Sequence, residues 1–208
     1  MKLERRMVLA GGPSPRGCKE KPFLPFNGWP FITIIVEVPL GVVDEVVIAV
    51  GFTDDTSRFS DPLPDSSRIV KDEYDGQSPL IGMLAGLSKI HSTYTAVLSC
   101  DLPFAKEEVL DFLFKKANGF DAAIPRWPNG SIEPLHAIYH ADAALEATKL
   151  EISSGGLKNV DMIKRLERTR YVDVDEFRPF DPEFLSFFNV NTPQDYEKAE
   201  KKMFERKS

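Results

Sequence analysis

The chain has 208 residues, which suits one domain with a substantial core, and it carries 32 acidic and 26 basic side chains. A formal net charge of −6 without a long basic tract argues against a nucleic-acid surface, because phosphate-backbone binding needs a concentrated positive face. Two cysteines are too few for a disulfide framework, and neither a membrane-spanning apolar run nor a signal-peptide core is present. We therefore expect a single soluble, cytoplasmic domain over residues 1–208, with no nucleic-acid or membrane partner.

Apolar runs that look like strands alternate with stretches of helical period along the first 124 residues. The predicted elements, in chain order, are a strand at 7–9, a helix at 31–38, a strand at 46–50, a helix at 79–90, a strand at 96–99, a helix at 107–116 and a strand at 122–124. This alternation is typical of an α/β protein built from βαβ units. The runs 46–50 and 96–99 are nearly continuously apolar, which predicts central parallel strands covered on both faces.

Capping residues mark two helix starts. Ser78 precedes Pro79 at the first, and at the second Thr192 is followed by a proline and by Asp195 at the third helical position. The segment 51–64, rich in Asp, Ser, Thr and Pro, predicts a surface loop.

A glycine-rich, basic loop follows the first predicted strand, at residues 10–21. Glycine lets the backbone approach a ligand closely, and Arg16 and Lys21 add the fixed positive charge that a triphosphate requires. The loop matches neither a Walker loop, because Cys18 follows Gly17, nor a Gly-x-Gly-x-x-Gly fingerprint. An ordinary turn with solvated basic residues is the alternative interpretation.

Asp101 follows the apolar run 96–100 and so ends a predicted strand. Ligands of open parallel sheets bind beyond the carboxyl ends of the strands, where the loop 10–21, Asp101 and the segment 189–192 should meet. Magnesium takes one or two protein carboxylates plus phosphate oxygens, so Asp101 could begin a metal site. Alternatively, Asp101 caps the helix after Pro103.

Three further residues stand in contexts that allow two interpretations. Asp72 follows the strand-like run 68–70 and could accept hydrogen bonds from a ribose or base, or be an exposed loop carboxylate. Gly82 could let a flat base approach the backbone, or pack with Gly86 against the sheet. His136 lies in a strand-like run without the spacing of a zinc site, and such a histidine is more often structural.

Five motifs together resemble the molybdenum cofactor guanylyltransferases over nearly the whole chain. They are Leu-Ala-Gly-Gly-x-Ser-x-Arg through Lys21, Pro-Leu-Ile-Gly at 79–82, Ser-Cys-Asp-Leu-Pro-Phe at 99–104, Glu-Pro-Leu-His-Ala-Ile-Tyr at 133–139 and Asn-Val-Asn-Thr-Pro-Gln-Asp at 189–195. The resemblance implies an α/β, three-layer Rossmann-like nucleotidyltransferase fold with a mostly parallel central sheet. It also implies transfer of GMP from GTP, with Mg²⁺, to the phosphate of molybdopterin or Mo-molybdopterin, with pyrophosphate released. Further partners would be molybdoenzyme maturation proteins.

The resemblance also implies roles for individual positions, with Arg16, Lys21 and Asp101 as the catalytic residues. The nucleotide would be framed by Leu9, Ala10, Gly11 and Gly12, and its triphosphate would be faced by Arg16 and Lys21. The nucleoside would be contacted by Asp72 and Gly82, and Mg²⁺ would be bound by Asp101. The acceptor side would hold His136, Asn189 and Asn191. The chain departs from the family at Arg16-Gly17-Cys18, since relatives commonly place a large apolar residue between this arginine and the glycine.

Other nucleotide chemistries remain open at this point. A molybdopterin cytidylyltransferase, or a guanylyltransferase acting on a cobinamide or phospholactate acceptor, has similar motifs. Gly11-Gly12 favours guanylyl transfer, because cytidylyl relatives tend to have alanine before the second glycine. A non-catalytic nucleotide-binding regulatory protein is a further alternative, against which the presence of Lys21 and Asp101 argues.

Overall fold

The structure is a computed structural model that describes residues 4–10, 21–38, 43–59, 63, 67–76 and 78–205. The strands are β1 (Glu4–Leu9), β2 (Pro25–Phe26), β3 (Trp29–Pro30), β4 (Val43–Val50), β5 (Ser67–Lys71), β6 (Tyr94–Ser99), β7 (Ala122–Arg126), β8 (His136–His140) and β9 (Thr169–Asp173). The α-helices are α1 (Phe31–Glu37), α2 (Pro79–Leu87), α3 (Glu107–Ala117), α4 (Ala141–Ser153), α5 (Asn159–Ile163) and α6 (Pro193–Glu205).

Seven strands form the central sheet, in the order β5-β4-β1-β6-β8-β7-β9. Neighbouring strands are parallel except at β8, which runs antiparallel to both β6 and β7. The prediction of a mostly parallel sheet is confirmed, and so is the interior position of β4 and β6. The reversal of β8 brings its first residues to the edge at which the other six strands end.

Helices cover both faces of this sheet, so that the fold has three layers. Alternate residues of β1 point to opposite faces, with Val8 packing under α1 and α3, and Met7 under α2 and α4. This two-sided burial explains why the central strands are apolar at almost every position. A third, smaller cluster places Val190 beside Ala199 of α6 and Phe31 of α1.

Both predicted caps are present. The Ser78 hydroxyl accepts a hydrogen bond from the Leu80 amide at 3.1 Å. At α6 the Asp195 amide donates to Thr192 Oγ1 at 3.1 Å, and the Thr192 amide donates to Asp195 Oδ2 at 3.0 Å. This reciprocal pair fixes the point at which the chain leaves the sheet edge and enters α6.

The loop predicted over 51–64 contains one 3₁₀ turn, Thr56–Phe59, within its described part. None of the helices in the described segments has the length and apolar character needed to cross a membrane.

Candidate active site

A cleft of about 820 Å³ opens at the carboxyl edge of the parallel strands. Ala10 after β1, Gly51 after β4 and Asp101 after β6 all line it. This is the edge at which open α/β sheets bind their ligands, since each strand ends there in a loop. The cleft is therefore the candidate site.

A lysine, a carboxylate and an amide meet in this cleft. Lys21 Nζ donates a hydrogen bond to Asp101 Oδ2 at 2.5 Å and another to Asn191 Oδ1 at 2.8 Å. The Lys21 and Asp101 side chains are only 16% and 9% exposed, so their ion pair is largely shielded from water. Three of the residues predicted from sequence, which come from distant parts of the chain, therefore meet at one place.

Backbone hydrogen bonds fix the position of Asp101. The Cys100 amide donates to the Leu9 carbonyl at 3.1 Å, which continues the pairing of β1 with β6, and the Val190 amide donates to the Asp101 carbonyl at 3.0 Å. The alternative role of Asp101 as a helix cap is wrong, because α3 begins later and has Lys106 at its N-cap position. Asp101 is thus held between the end of β1 and the segment that carries Asn191.

The second oxygen of Asp101 fits a cation site. Oδ1 is buried and has no hydrogen-bond partner among the described residues. A buried, unpaired carboxylate oxygen is costly, and a bound cation removes that cost. Over the described ranges no group of three or more His, Cys, Asp or Glu side chains could hold a metal ion. Magnesium commonly takes only one or two protein carboxylates, with phosphate oxygens and water as its other ligands.

Asp72 and Gly82 are not among the residues that line the cleft. The Asp72 amide donates to the Val50 carbonyl at 2.9 Å, and Asp72 Oδ1 is buried without a partner in the described structure. Burial, reinforced by the charge of Asp54, raises the pKa of Asp72 to about 6. A Cβ atom on Gly82 would lie 3.1 Å from Leu9 Cδ2 and 3.7 Å from Asp72 Oδ1, so Gly82 packs against the sheet.

His136 also lies outside the cleft lining, whereas Asn189 is part of it. The His136 ring is 1% exposed and packs against Phe187, with 4.9 Å between the ring centroids. Neither ring nitrogen has a hydrogen-bond partner among the described residues, and burial lowers the pKa of His136 to about 4. Asn189 Nδ2 donates to the Phe187 carbonyl at 3.2 Å.

The remaining predicted residues belong to the glycine-rich loop. Leu9 and Ala10 line the cleft at the end of β1. Gly11, Gly12 and Arg16 lie outside the described residues.

The cleft lining includes six charged residues for which sequence reasoning predicted no role: Asp54, Asp55, Arg58, Asp75, Glu133 and Lys158. The Arg58 guanidinium lies 4.5 Å from the centre of the Phe23 ring. Arg58 and Lys158 stand in loop-like stretches that carry no motif. Glu133 opens the motif at 133–139, where only its histidine attracted attention.

Glu133 is close enough to Asp101 for the two charges to interact. Burial raises the pKa of Glu133, a hydrogen bond from Trp127 lowers it, and the charge of Asp101 raises it. The cleft lining thus combines three cations, Lys21, Arg58 and Lys158, with five carboxylates, of which Asp101 and Glu133 lie near each other. Cations can bind the oxygens of a polyphosphate, and carboxylates can bind a divalent cation.

A family model described as the MobA-like NTP transferase domain matches residues 7–169. A probable molybdenum cofactor guanylyltransferase of Methanosarcina acetivorans is 37% identical over 204 residues, covering 94% of this chain and 89% of the relative. One from Methanosarcina mazei is 36% identical over 196 residues, covering 92% and 87%.

A solved structure shares both the fold and part of the sequence. The crystal structure of molybdopterin-guanine dinucleotide biosynthesis protein A from Archaeoglobus fulgidus superimposes with a TM-score of 0.82 at 29% identity, covering 97% of this chain and 99% of that one. The chain belongs to the MobA-like NTP transferase family and is a nucleotidyltransferase.

Proposed function

We propose that the chain is a guanylyltransferase that transfers GMP from Mg-GTP to the phosphate of molybdopterin and releases pyrophosphate. The observation that carries the proposal is the meeting of Lys21, Asp101 and Asn191 in the cleft, within a chain whose relatives are named for this activity. The acceptor can be molybdopterin or Mo-molybdopterin, since its phosphate is the reacting group.

The chemistry needs no protein nucleophile. An oxygen of the acceptor phosphate attacks the α-phosphorus of GTP and forms a new P–O bond. The bond between the α-phosphorus and the oxygen that bridges the α- and β-phosphates breaks, and pyrophosphate leaves. Alignment of the reacting groups and neutralisation of the leaving charge are the main requirements. Lys21 would neutralise that charge, and Asn191 would orient the Lys21 ammonium group.

Asp101 would hold the magnesium ion, because its buried Oδ1 lacks a partner among the described residues. When bound, magnesium neutralises negative charge on the triphosphate. Arg16 would face the same phosphates, and Asn189 would lie on the acceptor side. Leu9, Ala10, Gly11 and Gly12 would frame the nucleotide.

Asp72, Gly82 and His136 would act from below the site rather than by lining it. Asp72 and Gly82 would shape the floor under the nucleoside, and His136 would support the wall on the acceptor side. Gly82 packs against Leu9, which lines the cleft, and His136 packs against Phe187.

We also propose that residues 1–208 form one nucleotidyltransferase domain that works in the cytoplasm and passes its product to molybdoenzyme maturation proteins. The small number of cysteines and the free, buried Cys100 thiol support a reducing compartment.

The direct test is to incubate the purified protein with Mg²⁺, molybdopterin and GTP, with CTP and ATP in parallel reactions. We expect a GMP adduct of molybdopterin by mass spectrometry, one pyrophosphate per adduct, and no product without Mg²⁺. A CMP adduct instead would identify a cytidylyltransferase. Tight GTP binding without pyrophosphate release would identify a non-catalytic nucleotide-binding protein.

A further inference from the structure

Glu133 lies at the turn that precedes β8, where the His136 amide donates to the Glu133 carbonyl at 3.3 Å. The Ser99 amide donates to the Leu135 carbonyl at 2.9 Å, and Asp101 and Glu133 each lie two residues from this bonded pair. Both residues line the cleft.

The Glu133 carboxylate is held in place from one side. Trp127 Nε1 donates to Glu133 Oε1 at 2.7 Å, and the Glu133 amide donates to the Pro125 carbonyl at 3.0 Å. The Trp127 ring is itself fixed by edge-to-face contacts with Phe184 and Phe187, at 5.6 and 5.9 Å between ring centroids.

Asp101 lines the same cleft, and its two carboxylate oxygens are engaged differently. The residue is 6% exposed, Lys21 occupies its Oδ2, and Oδ1 has no partner among the described residues. Two neighbouring carboxylates repel each other unless a cation lies between them. Magnesium bound with substrate phosphates commonly uses one or two protein carboxylates, which matches this pair.

We propose that Glu133 is the second protein carboxylate of the metal site, and that Trp127 is the positioning residue that orients it. This inference rests on the proposed function, because the metal is bound together with GTP. It assigns the loop between β7 and β8 to the metal site as well as to the cleft wall.

The test is the Mn²⁺ affinity of the protein saturated with the α,β-methylene analogue of GTP, which cannot transfer its nucleotidyl group. Mn²⁺ is the probe because electron paramagnetic resonance counts its free form. We expect Glu133→Gln to weaken Mn²⁺ binding by about ten-fold or more. Glutamine still accepts the Trp127 hydrogen bond, so the fold and the loop should be retained.

Asp173→Asn is the matched control, since Asp173 is a carboxylate near Trp127 that pairs with Arg126 on the surface, at 2.9 Å. We expect its Mn²⁺ affinity to equal that of the unmodified protein. If Glu133→Gln also leaves the affinity unchanged, Glu133 is only a structural acceptor for Trp127 and the inference is overturned. If the unmodified protein fails to bind Mn²⁺ with the GTP analogue, the proposed function falls too, so the two failures are distinguishable.

The role of Trp127 is tested by Trp127→Phe, which keeps an aromatic ring but removes the N–H donor. We expect weaker Mn²⁺ binding than in the unmodified protein, and no further loss when Trp127→Phe is added to Glu133→Gln. If the two substitutions instead weaken Mn²⁺ binding additively in the double variant, Trp127 acts independently of Glu133, and its assignment as a positioning residue is overturned.

Discussion

The Lys21–Asp101 ion pair is poorly explained by stability alone. Both side chains are largely buried, and removing two charges from water costs free energy that their attraction only partly recovers. The arrangement of the pair is well suited to a ligand, since Asn191 holds the ammonium group and Asp101 Oδ1 has no partner among the residues that the structure describes. At the residue scale, the charges in this cleft are placed for binding.

Replacing either member of the pair should therefore stop catalysis. For Asp101→Asn and Lys21→Ala we expect GMP transfer to fall by at least about 100-fold, because each removes charge stabilisation from the transition state. Pyrophosphate release measures the effect, and circular dichroism checks the fold. Lys116→Ala is the control, since Lys116 forms an ion pair with Glu176 outside the cleft at 2.6 Å. Full activity in either cleft variant would refute the roles assigned here.

The sequence motifs predicted which residues come together in the cleft, but not how far each side chain is buried. Lys21, Asp101 and Asn191 follow element ends in the sequence, and the sheet rule places such ends together. Asp72 and His136 stand in similar contexts, yet both are buried, at 7% and 1% exposure. The direction of a side chain at a strand end depends on the pleat and on the helix packed above it, and a local motif contains neither.

At the scale of elements, α2 lies close to β1 because two glycines face the strand. A Cβ atom on Gly86 would lie 2.1 Å from Met7 Sδ and 2.9 Å from Met7 Cγ, and Met7 is fully buried. A Cβ atom on Gly82 would meet only the tip of Leu9, at 3.1 Å. The core-packing interpretation of this glycine pair is therefore the one that the structure supports.

The two glycines should respond differently to alanine. We expect Gly86→Ala to lower the free energy of unfolding by about 1–3 kcal/mol, because the new methyl group would overlap the fully buried Met7 side chain. Gly82→Ala should cost less, since a gain in helix propensity of about 1 kcal/mol offsets the tight contact. Urea unfolding measures both. An equal loss in the two variants would show that the contact with Met7 does not limit the approach of α2.

The one reversed strand was within reach of sequence reasoning. Only residues 127–135 separate β7 from β8, and a parallel crossover needs a dozen or more residues, so the two strands must be antiparallel. What the sequence did not reveal is the sheet order, in which β8 pairs with β6 as well as with β7. That order depends on contacts between distant segments and leaves no periodic signal.

At the scale of the whole molecule, two buried groups act in opposite directions on acid stability. Burial lowers the pKa of His136 from 6.5 to about 4. As the pH falls from 6.5 to 4, the imidazole is therefore protonated in the unfolded chain but not in the folded one, and the free energy of unfolding falls. Burial and the charge of Asp54 raise the pKa of Asp72 from 3.8 to about 6. The contribution of Asp72 is therefore complete below pH 3.8 and is lost as the pH rises through about 6.

Separating these two effects is a test of both. When the pH is lowered from 6.5 to 4, we expect the free energy of unfolding of Asp72→Asn to fall more steeply than that of the unmodified protein. Over the same range, the free energy of unfolding of His136→Gln should fall by about 3 kcal/mol less than that of the unmodified protein. Urea unfolding at several pH values gives the slope of the free energy of unfolding against pH. This slope is not affected when a substitution lowers stability by the same amount at every pH. Parallel curves for all variants would contradict the burial effects.

The reversal of β8 also decides where the chain returns after the following helix. Because β8 begins at the edge that holds the cleft, α4 starts at the opposite edge, and the segment after α4 comes back to the cleft. There the Leu157 carbonyl accepts a hydrogen bond from the Ser78 hydroxyl at 2.6 Å. Residues 133–135 and 158–160 line the cleft without belonging to any strand of the sheet, so substitutions in them should change what the cleft accepts and leave the sheet intact.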